Sequence, residues 1–157
     1  MPVNPEEFRV ALGRFASTVC VVTTRLDDGV LAGITVTAFS SLSLEPPLVL
    51  ACIDRGAWLH DRLAIGKHFA VNMLSEDQEV ISRLFASRER EPFRSLGFDD
   101  GPAGSPLLHD TTANLECQIV NRLAGGDHTI VVGQVEFAQV SDRKPLLYFR
   151  GGYTRLA

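Results

Sequence analysis

Hydroxyl side chains gather in one stretch of the sequence, AGITVTAFSSLSLEPP, which spans residues 32–47. They belong to Thr35, Thr37, Ser40, Ser41 and Ser43, and they lie among apolar residues where a predicted strand passes into a turn before a double proline. Hydroxyls and backbone N–H groups that meet at a strand end can bind the phosphate and the ring edges of a ligand. An amphipathic strand followed by a solvated turn would have the same pattern, so both interpretations stay open.

A second stretch, Gly125-Gly126-Asp127-His128-Thr129, is predicted to be a tight turn that delivers a histidine to the start of an apolar strand. Such a histidine can expose one ring nitrogen to a cleft while Asp127 or a backbone group orients the other. A structural turn with a satisfied histidine is the alternative. The remaining histidines, at 60, 68 and 109, lack this context, and no pair of them has the spacing of metal ligands with carboxylates nearby, so no metal site is predicted.

Near the C-terminus, Tyr148-Phe149-Arg150-Gly151-Gly152-Tyr153 places aromatics and a cation around two glycines. The group can close over a planar ring, with Arg150 attracting a pyrophosphate, or it can be a last strand with a frayed tail. The sequence contains neither GxGxxG nor GxxxxGK[ST], and it has no GxSxG. The motifs of Rossmann dinucleotide sites, P-loops and serine hydrolases are therefore absent.

The elements that position these residues are predicted to be about seven strands and two or three helices. Asn4-Pro5 begins a short helix with Phe8, Leu12 and Phe15 on one face, and Gly29 closes a hairpin. Regular patterning stops over residues 87–105. Because the strands do not alternate with long helices, a mainly antiparallel β-barrel with attached helices is favoured over a doubly wound parallel sheet.

Composition limits the class of protein. The 157 residues are 45% hydrophobic with a net charge of -4, which predicts one globular domain over 1–157 and argues against binding to nucleic acid or anionic lipid. No apolar run is long enough to cross a bilayer and no secretory signal begins the chain, so we expect a cytoplasmic protein that binds no membrane. Cys20, Cys52 and Cys117 have apolar neighbours and are expected to be free thiols in the core.

Taken in order, several segments resemble the flavin reductases of the FMN-binding split-barrel type, which supply reduced flavin to partner monooxygenases. The segments are FRVALGRFASTVCVVTT, GITVTAFSSLSLEPPLVL, FAVNML, Phe85-Ala86, LECQIV, GDHTIVVGQV and PLLYFRGGY. The resemblance implies a six-stranded antiparallel split β-barrel. It also implies a homodimer with one flavin, FMN or FAD, at or near each dimer interface, and NADH or NADPH as co-substrate.

The resemblance further implies which residues hold the cofactor. Residues 35–39 would line the isoalloxazine or ribityl region, Ser40 and Ser41 would lie towards the ribityl chain and phosphate, and the segment 52–58 would complete the pocket. The full predicted cofactor-binding set is Thr35, Val36, Thr37, Ala38, Phe39, Ser40, Ser41, Leu42, Asp54, Arg55, Trp58, Ser87, Arg88, Arg150 and Tyr153.

Some of these assignments have ordinary alternatives. Arg55 or Arg88 can pair with phosphate or be a plain surface charge, and Trp58 can stack on a ring or anchor packing. The chain reads Asp54-Arg-Gly-Ala-Trp58 where many relatives carry several Ser or Thr residues, which removes expected phosphate contacts. By the same resemblance His128 is predicted to lie near the nicotinamide as the catalytic, cofactor-positioning residue.

The predicted activity is hydride transfer from C4 of NADH or NADPH to N5 of the flavin. This reaction needs no protein nucleophile, since the protein chiefly stacks two rings and stabilises the charge that develops. A non-enzymatic flavin-binding or redox-sensing module on the same barrel is the alternative, and a barrel that only binds other proteins is a third.

Overall fold

The structure is a computed structural model that describes all 157 residues, and it is mainly β. Its helices are α1 (Pro5–Leu12) and α2 (Glu79–Phe85), with short 3-10 turns at His60–Arg62 and Pro92–Ser95. Its strands are β1 (Ser17–Thr18), β2 (Cys20–Arg25), β3 (Leu31–Val36), β4 (Phe39–Ser43), β5 (Leu48–Asp54), β6 (His68–Met73), β7 (Phe98–Asp100), β8 (Pro106–Leu108), β9 (Ala113–Gly125), β10 (His128–Val140), β11 (Leu146–Phe149) and β12 (Gly152–Arg155).

One antiparallel sheet with the strand order β3-β2-β6-β9-β10-β5-β4 forms the body of the molecule. This confirms the predicted mainly β class with attached helices. The predicted number of six strands is corrected to seven, because the short strand β4 pairs with β5 at Phe39↔Ala51 and Ser40↔Leu50. The two edge strands, β3 and β4, do not pair with each other.

The sheet curls around a single core. Alternate residues of each strand point inward, so Ala32 and Val36 of β3 share one apolar cluster with Val49, Ala51 and Ile53 of β5, although these strands lie near opposite ends of the sheet. Burial of these apolar side chains on the inner face is the main contribution that stabilises the closed sheet.

A second apolar layer covers the outer face of β2 and β3. Phe85 of α2, Phe93 and the hairpin β11–β12 pack there against Val21 and its neighbours. Gly33 allows the close approach, because a Cβ at this position would lie 2.6 Å from the Phe85 ring. We call this part of the barrel surface the covered half.

The outer face of β4, β5 and β10 has no such layer. Leu50, Cys52 and Ile130 alternate with inward-facing residues and so point outward, where they are only partly buried. No helix or second sheet packs on these strands. We call this part of the barrel surface the open half.

Helix α1 begins as the sequence predicts, but it differs from an ordinary core helix because it buries none of its residues. Asn4 and Glu7 form a capping box, with Asn4 Oδ1 accepting from Glu7 N at 2.9 Å. Phe8 and Phe15 remain 56% and 74% exposed. Neither helix of the structure has the length and apolar character needed to span a membrane.

Candidate functional site

His128 stands at the first position of β10, just after the turn that joins β9 to β10. Gly126 supplies the positive φ of that turn (+68°), and His128 Nδ1 donates to Asp127 Oδ1 at 2.7 Å. This hydrogen bond is the main cause that lowers the pKa of Asp127, so its carboxylate is kept as an acceptor. Since Nδ1 is engaged, Nε2 is the ring atom left for a ligand.

The end of β5 is tied to the same turn. Asp54 lies directly opposite His128 in the sheet, and its Oδ1 accepts from Gly56 N at 2.7 Å. Arg55 N donates to Asp127 O at 3.0 Å, while the Arg55 side chain is exposed and makes no ion pair. The two turns therefore hold each other in place and leave one free cation beside the histidine.

The predicted hydroxyl segment lies on the other side of β5. Ala38 O accepts from Cys52 N at 2.9 Å, Phe39 packs inward on the barrel core, and Ser40 lies opposite Leu50. Thr37 and Ser41 are exposed, and their hydroxyls make no hydrogen bond within the chain, whereas Ser40 Oγ donates to Ser41 O at 2.8 Å. Leu42 is half exposed at the end of this segment.

Together these residues form what we call the open-half site: the segment 37–42, Cys52 to Arg55, and His128. It spans three neighbouring strands, and adjacent strands lie about 4.8 Å apart, so its width is about 10 Å. The outward side chains of Leu50, Cys52 and Ile130 give it an apolar floor, with Ser40 of β4 on one side and an imidazole on the other. Such a surface suits a planar, partly apolar ring that carries polar groups.

Thr35 and Val36 do not face this surface. Val36 points into the core at 7% exposure, and Thr35 Oγ1 donates to Ser82 O at 2.6 Å. Ser82 Oγ in turn contacts the Tyr153 hydroxyl at 2.7 Å. These hydrogen bonds fasten α2 and β12 to β3, and they lie beside the open-half site because Thr35 is three residues from Ala38.

The remaining residues of the predicted cofactor-binding set lie outside the open-half site. Ser87 Oγ donates to Leu84 O at 2.6 Å, and the next residue, Arg88, is exposed after α2 on the covered half. The guanidinium of Arg150 lies 5.2 Å from the Phe149 ring in the turn between β11 and β12. Trp58 is 58% exposed, with the Arg62 guanidinium 3.8 Å from its ring centroid.

Sequence reasoning missed a buried network beneath the site. His60, which the sequence did not mark as part of a site, is only 9% exposed. Its Nδ1 donates to Asp61 Oδ1, and its Nε2 accepts from the hydroxyl of Thr129, the neighbour of His128; both distances are 2.7 Å. Arg122 donates to the carbonyl oxygens of His60 and Leu63. The one signal in the sequence is that His60 directly follows the apolar pair Trp58-Leu59.

The three cysteines are free, but they are not equivalent. Burial raises the pKa values of Cys20 and Cys117 to about 12, which keeps both thiols protonated and unreactive. Cys52 is only partly buried and lies in the open-half site. The structure contains no cluster of three or more side chains that could hold a metal ion.

Comparison with known proteins shows which family the chain resembles. A sequence profile described as "Flavin reductase like domain" matches residues 12–157. The chain is 36% identical over 153 residues to the reductase subunit HsaB of a flavin-dependent monooxygenase from Rhodococcus jostii, covering 97% of this chain and 78% of that protein. It is 38% identical over 154 residues to the FMN reductase (NADH) SmoA from Agrobacterium fabrum, covering 98% and 87% of the two chains.

The fold agrees with the sequence comparison. The structure of the NADH:FAD oxidoreductase SgcE6 from Streptomyces globisporus, in complex with NAD and FAD fragments, aligns with a TM-score of 0.92 at 36% identity. That alignment covers 100% of this chain and 97% of SgcE6. Matches of this extent in both sequence and structure establish that the chain belongs to the flavin reductase like domain family.

Proposed function

We propose that this protein is an NAD(P)H:flavin oxidoreductase that reduces FMN or FAD in the open-half site. The observation that carries the proposal is the juxtaposition, across β4, β5 and β10, of Ser40 and the exposed segment around it with His128, in a chain of this family. Relatives named as an NADH-dependent FMN reductase and an NADH:FAD oxidoreductase support both substrates.

The residues of the open-half site fit a flavin. Leu50, Cys52 and Ile130 offer an apolar surface to the ring, and the Ser40 hydroxyl, opposite Leu50 on the same face, can accept a hydrogen bond from the ribityl chain. When bound, a flavin supplies the redox chemistry by accepting a hydride at N5 from C4 of the nicotinamide. The protein contributes binding and orientation, because the site contains no nucleophile with an adjacent base.

His128 positions the nicotinamide in this proposal. Because Nδ1 donates to Asp127, Nε2 of the neutral ring is an acceptor, which matches the amide N–H groups of a nicotinamide carboxamide. Arg55, the unpaired cation of the site, is the nearest candidate to neutralise a phosphate. Neutral donors with a single cation suit a flavin that must be released after reduction.

The direct test is to mix the purified protein with free FMN or FAD under anaerobic conditions and to follow NADH and NADPH oxidation by stopped flow. Turnover of added flavin supports the reductase. A protein that keeps one flavin through repeated washing and oxidises no NADH or NADPH would instead be the alternative, a flavin-binding or redox-sensing module.

One double variant and a matched control test the flavin side of the site. In Ser40→Ala/Ser41→Ala we expect FMN affinity to fall several-fold with little change in the turnover of saturated enzyme. Ser95→Ala is the matched control, because Ser95 is exposed on the covered half and its hydroxyl makes no hydrogen bond. Equal affinity in wild type, double variant and control would remove these serines from the proposed site.

Reduced flavin would then pass to a flavin-dependent monooxygenase. The name of the relative HsaB, a reductase subunit of such an enzyme, supports this partner. We also propose a cytoplasmic location, which three unpaired thiols support because reducing compartments keep cysteines free.

We further propose that the protein acts as a homodimer. The support comes from α1 and the residues just after it, where the apolar side chains Phe8, Val10, Leu12 and Phe15 are all 48% to 74% exposed. An apolar surface of this kind is typically covered by a partner, and identical subunits with twofold symmetry are the most common arrangement. Light scattering should give twice the monomer mass for wild type and a smaller mass for Phe15→Asp. A monomeric wild type would contradict the proposal.

A further inference from the structure

A second cleft lies outside the open-half site, at the start of β3. Its volume is about 640 Å³, within the usual range of small-molecule sites. Val30 and Phe98 line its apolar side, and Arg90, Glu91 and Arg94 line its charged side. The cleft belongs to the covered half, where residues 90–98 pass over β3.

The apolar side of the cleft is held rigid by aromatic packing. Phe93 meets Phe98 edge to face with ring centroids 5.6 Å apart, and it meets Phe85 in the same way at 5.1 Å. Phe98 is only partly buried and Val30 is 49% exposed, so both offer surface to a ligand. A fixed aromatic and aliphatic wall of this kind suits the flat face of a nucleic-acid base.

The charged side of the cleft has spare binding capacity. Arg90 makes no ion pair, and Arg94 has only a loose contact with Glu91 at 3.6 Å. By contrast, Arg25, Lys67 and Arg143 each reach a carboxylate within 2.5 to 2.8 Å. Arginine side chains without a close carboxylate partner are suited to hold phosphate groups through paired N–H donors.

The cleft is connected to the open-half site by one strand edge. Leu31, at the cleft, and Thr35, beside the open-half site, are four residues apart on β3, which corresponds to about 13 Å. The outer edge of β3 pairs with no other strand. A ligand with its reacting ring in the open-half site would reach the cleft by following this edge for about 13 Å, past the contact between α2 and Thr35.

We propose that this cleft binds the adenosine diphosphate part of a dinucleotide substrate, with the base against Val30 and Phe98 and the phosphates on Arg90 and Arg94. The assignment rests on the proposed function, because it takes the reacting ring to be in the open-half site. FAD and the nicotinamide dinucleotides both contain adenosine diphosphate, whereas FMN lacks it. The cleft would thus contribute affinity for one or both dinucleotides and none for FMN.

A polar cleft of about 310 Å³ at the far end of β9 and β10 has no comparable capacity. Its Arg143 is paired with Asp110 at 2.8 Å, and its Gln139 donates to Asn114 Oδ1 at 2.8 Å. The groups that line it already satisfy one another.

The test uses ADP alone as the probe, titrated by calorimetry into wild type, into Arg90→Ala/Arg94→Ala and into Lys144→Ala. Lys144 is the control because it is an exposed cation outside both sites. We expect ADP to bind wild type and Lys144→Ala equally and to bind the double variant at least tenfold more weakly, with FMN affinity preserved in all three. No binding of ADP to wild type, or equal weakening in Lys144→Ala, would overturn the proposal.

Kinetics then identify the substrate that uses the cleft. If FAD places its adenosine diphosphate in the cleft, the double variant loses affinity for FAD relative to FMN. If the nicotinamide dinucleotide does so, the KM for NADH or NADPH rises equally with either flavin. No change in either quantity would also overturn the assignment. A wild type that reduces no flavin would defeat the proposed function, but ADP binding lost with the two arginines would still identify the cleft.

Discussion

The covered and open halves of the barrel are built from the same alternating strands, yet they differ in what lies on their outer faces. On the covered half, outward residues such as Val21 become core because α2, residues 92–98 and β11–β12 pack over them. On the open half, Leu50, Cys52 and Ile130 occupy equivalent outward positions and stay partly exposed. Outward apolar residues therefore stabilise the fold where a second layer packs on them, and they remain available for ligands where no layer does.

The largest expected contrast is in stability. Phe85 is 4% exposed and contacts Gly33 and Phe93, so Phe85→Ala should lower the free energy of unfolding by about 3–5 kcal/mol. Leu50→Ala, on the open half, should cost about 1 kcal/mol. Urea denaturation followed by circular dichroism gives both values. Equal losses would mean that the two outer faces are buried to the same extent.

A buried carboxylate gives the next largest effect. Glu116 is 1% exposed, and its two carboxylate oxygens accept from Ala103 N at 2.7 Å and Ser105 N at 2.8 Å. Glu116→Gln places an amide donor against one of these N–H groups, so we expect a loss of about 1–3 kcal/mol in unfolding free energy. Glu136→Gln, at a more exposed carboxylate, is the control and should change stability little. Matching values for the two variants would show that the 101–105 turn does not depend on this carboxylate.

His128→Ala should reverse the pattern by leaving stability nearly unchanged while it slows the reaction. We expect kcat/KM for NADH to fall by about tenfold, equivalent to about 1.4 kcal/mol, with FMN affinity altered much less. Steady-state kinetics and FMN titration separate the two quantities. A parallel loss of NADH turnover and FMN affinity would contradict the division of roles between His128 and the hydroxyl segment.

The cysteines report on the same contrast without any mutation. In the native protein a thiol reagent should modify Cys52 first, because the pKa values of Cys20 and Cys117 are raised to about 12 by burial. Saturating FMN should slow the modification of Cys52 several-fold, as measured by mass spectrometry of the labelled peptides. Cys20 or Cys117 reacting as fast as Cys52 would contradict the assigned burial.

The smallest effect concerns pH. The hydrogen bond from His60 is the main cause that lowers the pKa of Asp61. The folded-state pKa lies below the unfolded value of about 3.9, so the pair stabilises the protein above about pH 4, and this contribution is lost as the pH falls through the folded pKa. Wild type should therefore melt slightly above Asp61→Asn at pH 6, and the difference should vanish near pH 2. A difference that grows on acidification would contradict the interaction.

Much of the fold was predictable from local pattern. The helix start at Asn4 and the turn at Gly29 each have a local physical cause, and the structure has both. The seventh strand was missed because β4, with its three adjacent exposed positions, lacks a buried face of its own and is held by pairing with β5.

The candidate site was less predictable, because its parts meet only through tertiary pairing. The register between β5 and β10 brings Asp54 opposite His128, and nothing in the local sequence of either strand specifies that register. In the same way, the partner of Thr35 is a carbonyl on α2, 47 residues away. These long-range contacts decide which of the predicted residues face a ligand and which fasten the covering layer to the barrel.

The most direct test of a flavin site on the open half is a crystal structure of the protein soaked with FMN. We expect the isoalloxazine ring on the outer face of β4, β5 and β10, with the segment 37–42 along one side and His128 Nε2 facing the nicotinamide side. Density for the ring among α2, residues 92–98 and β11–β12 would contradict the account.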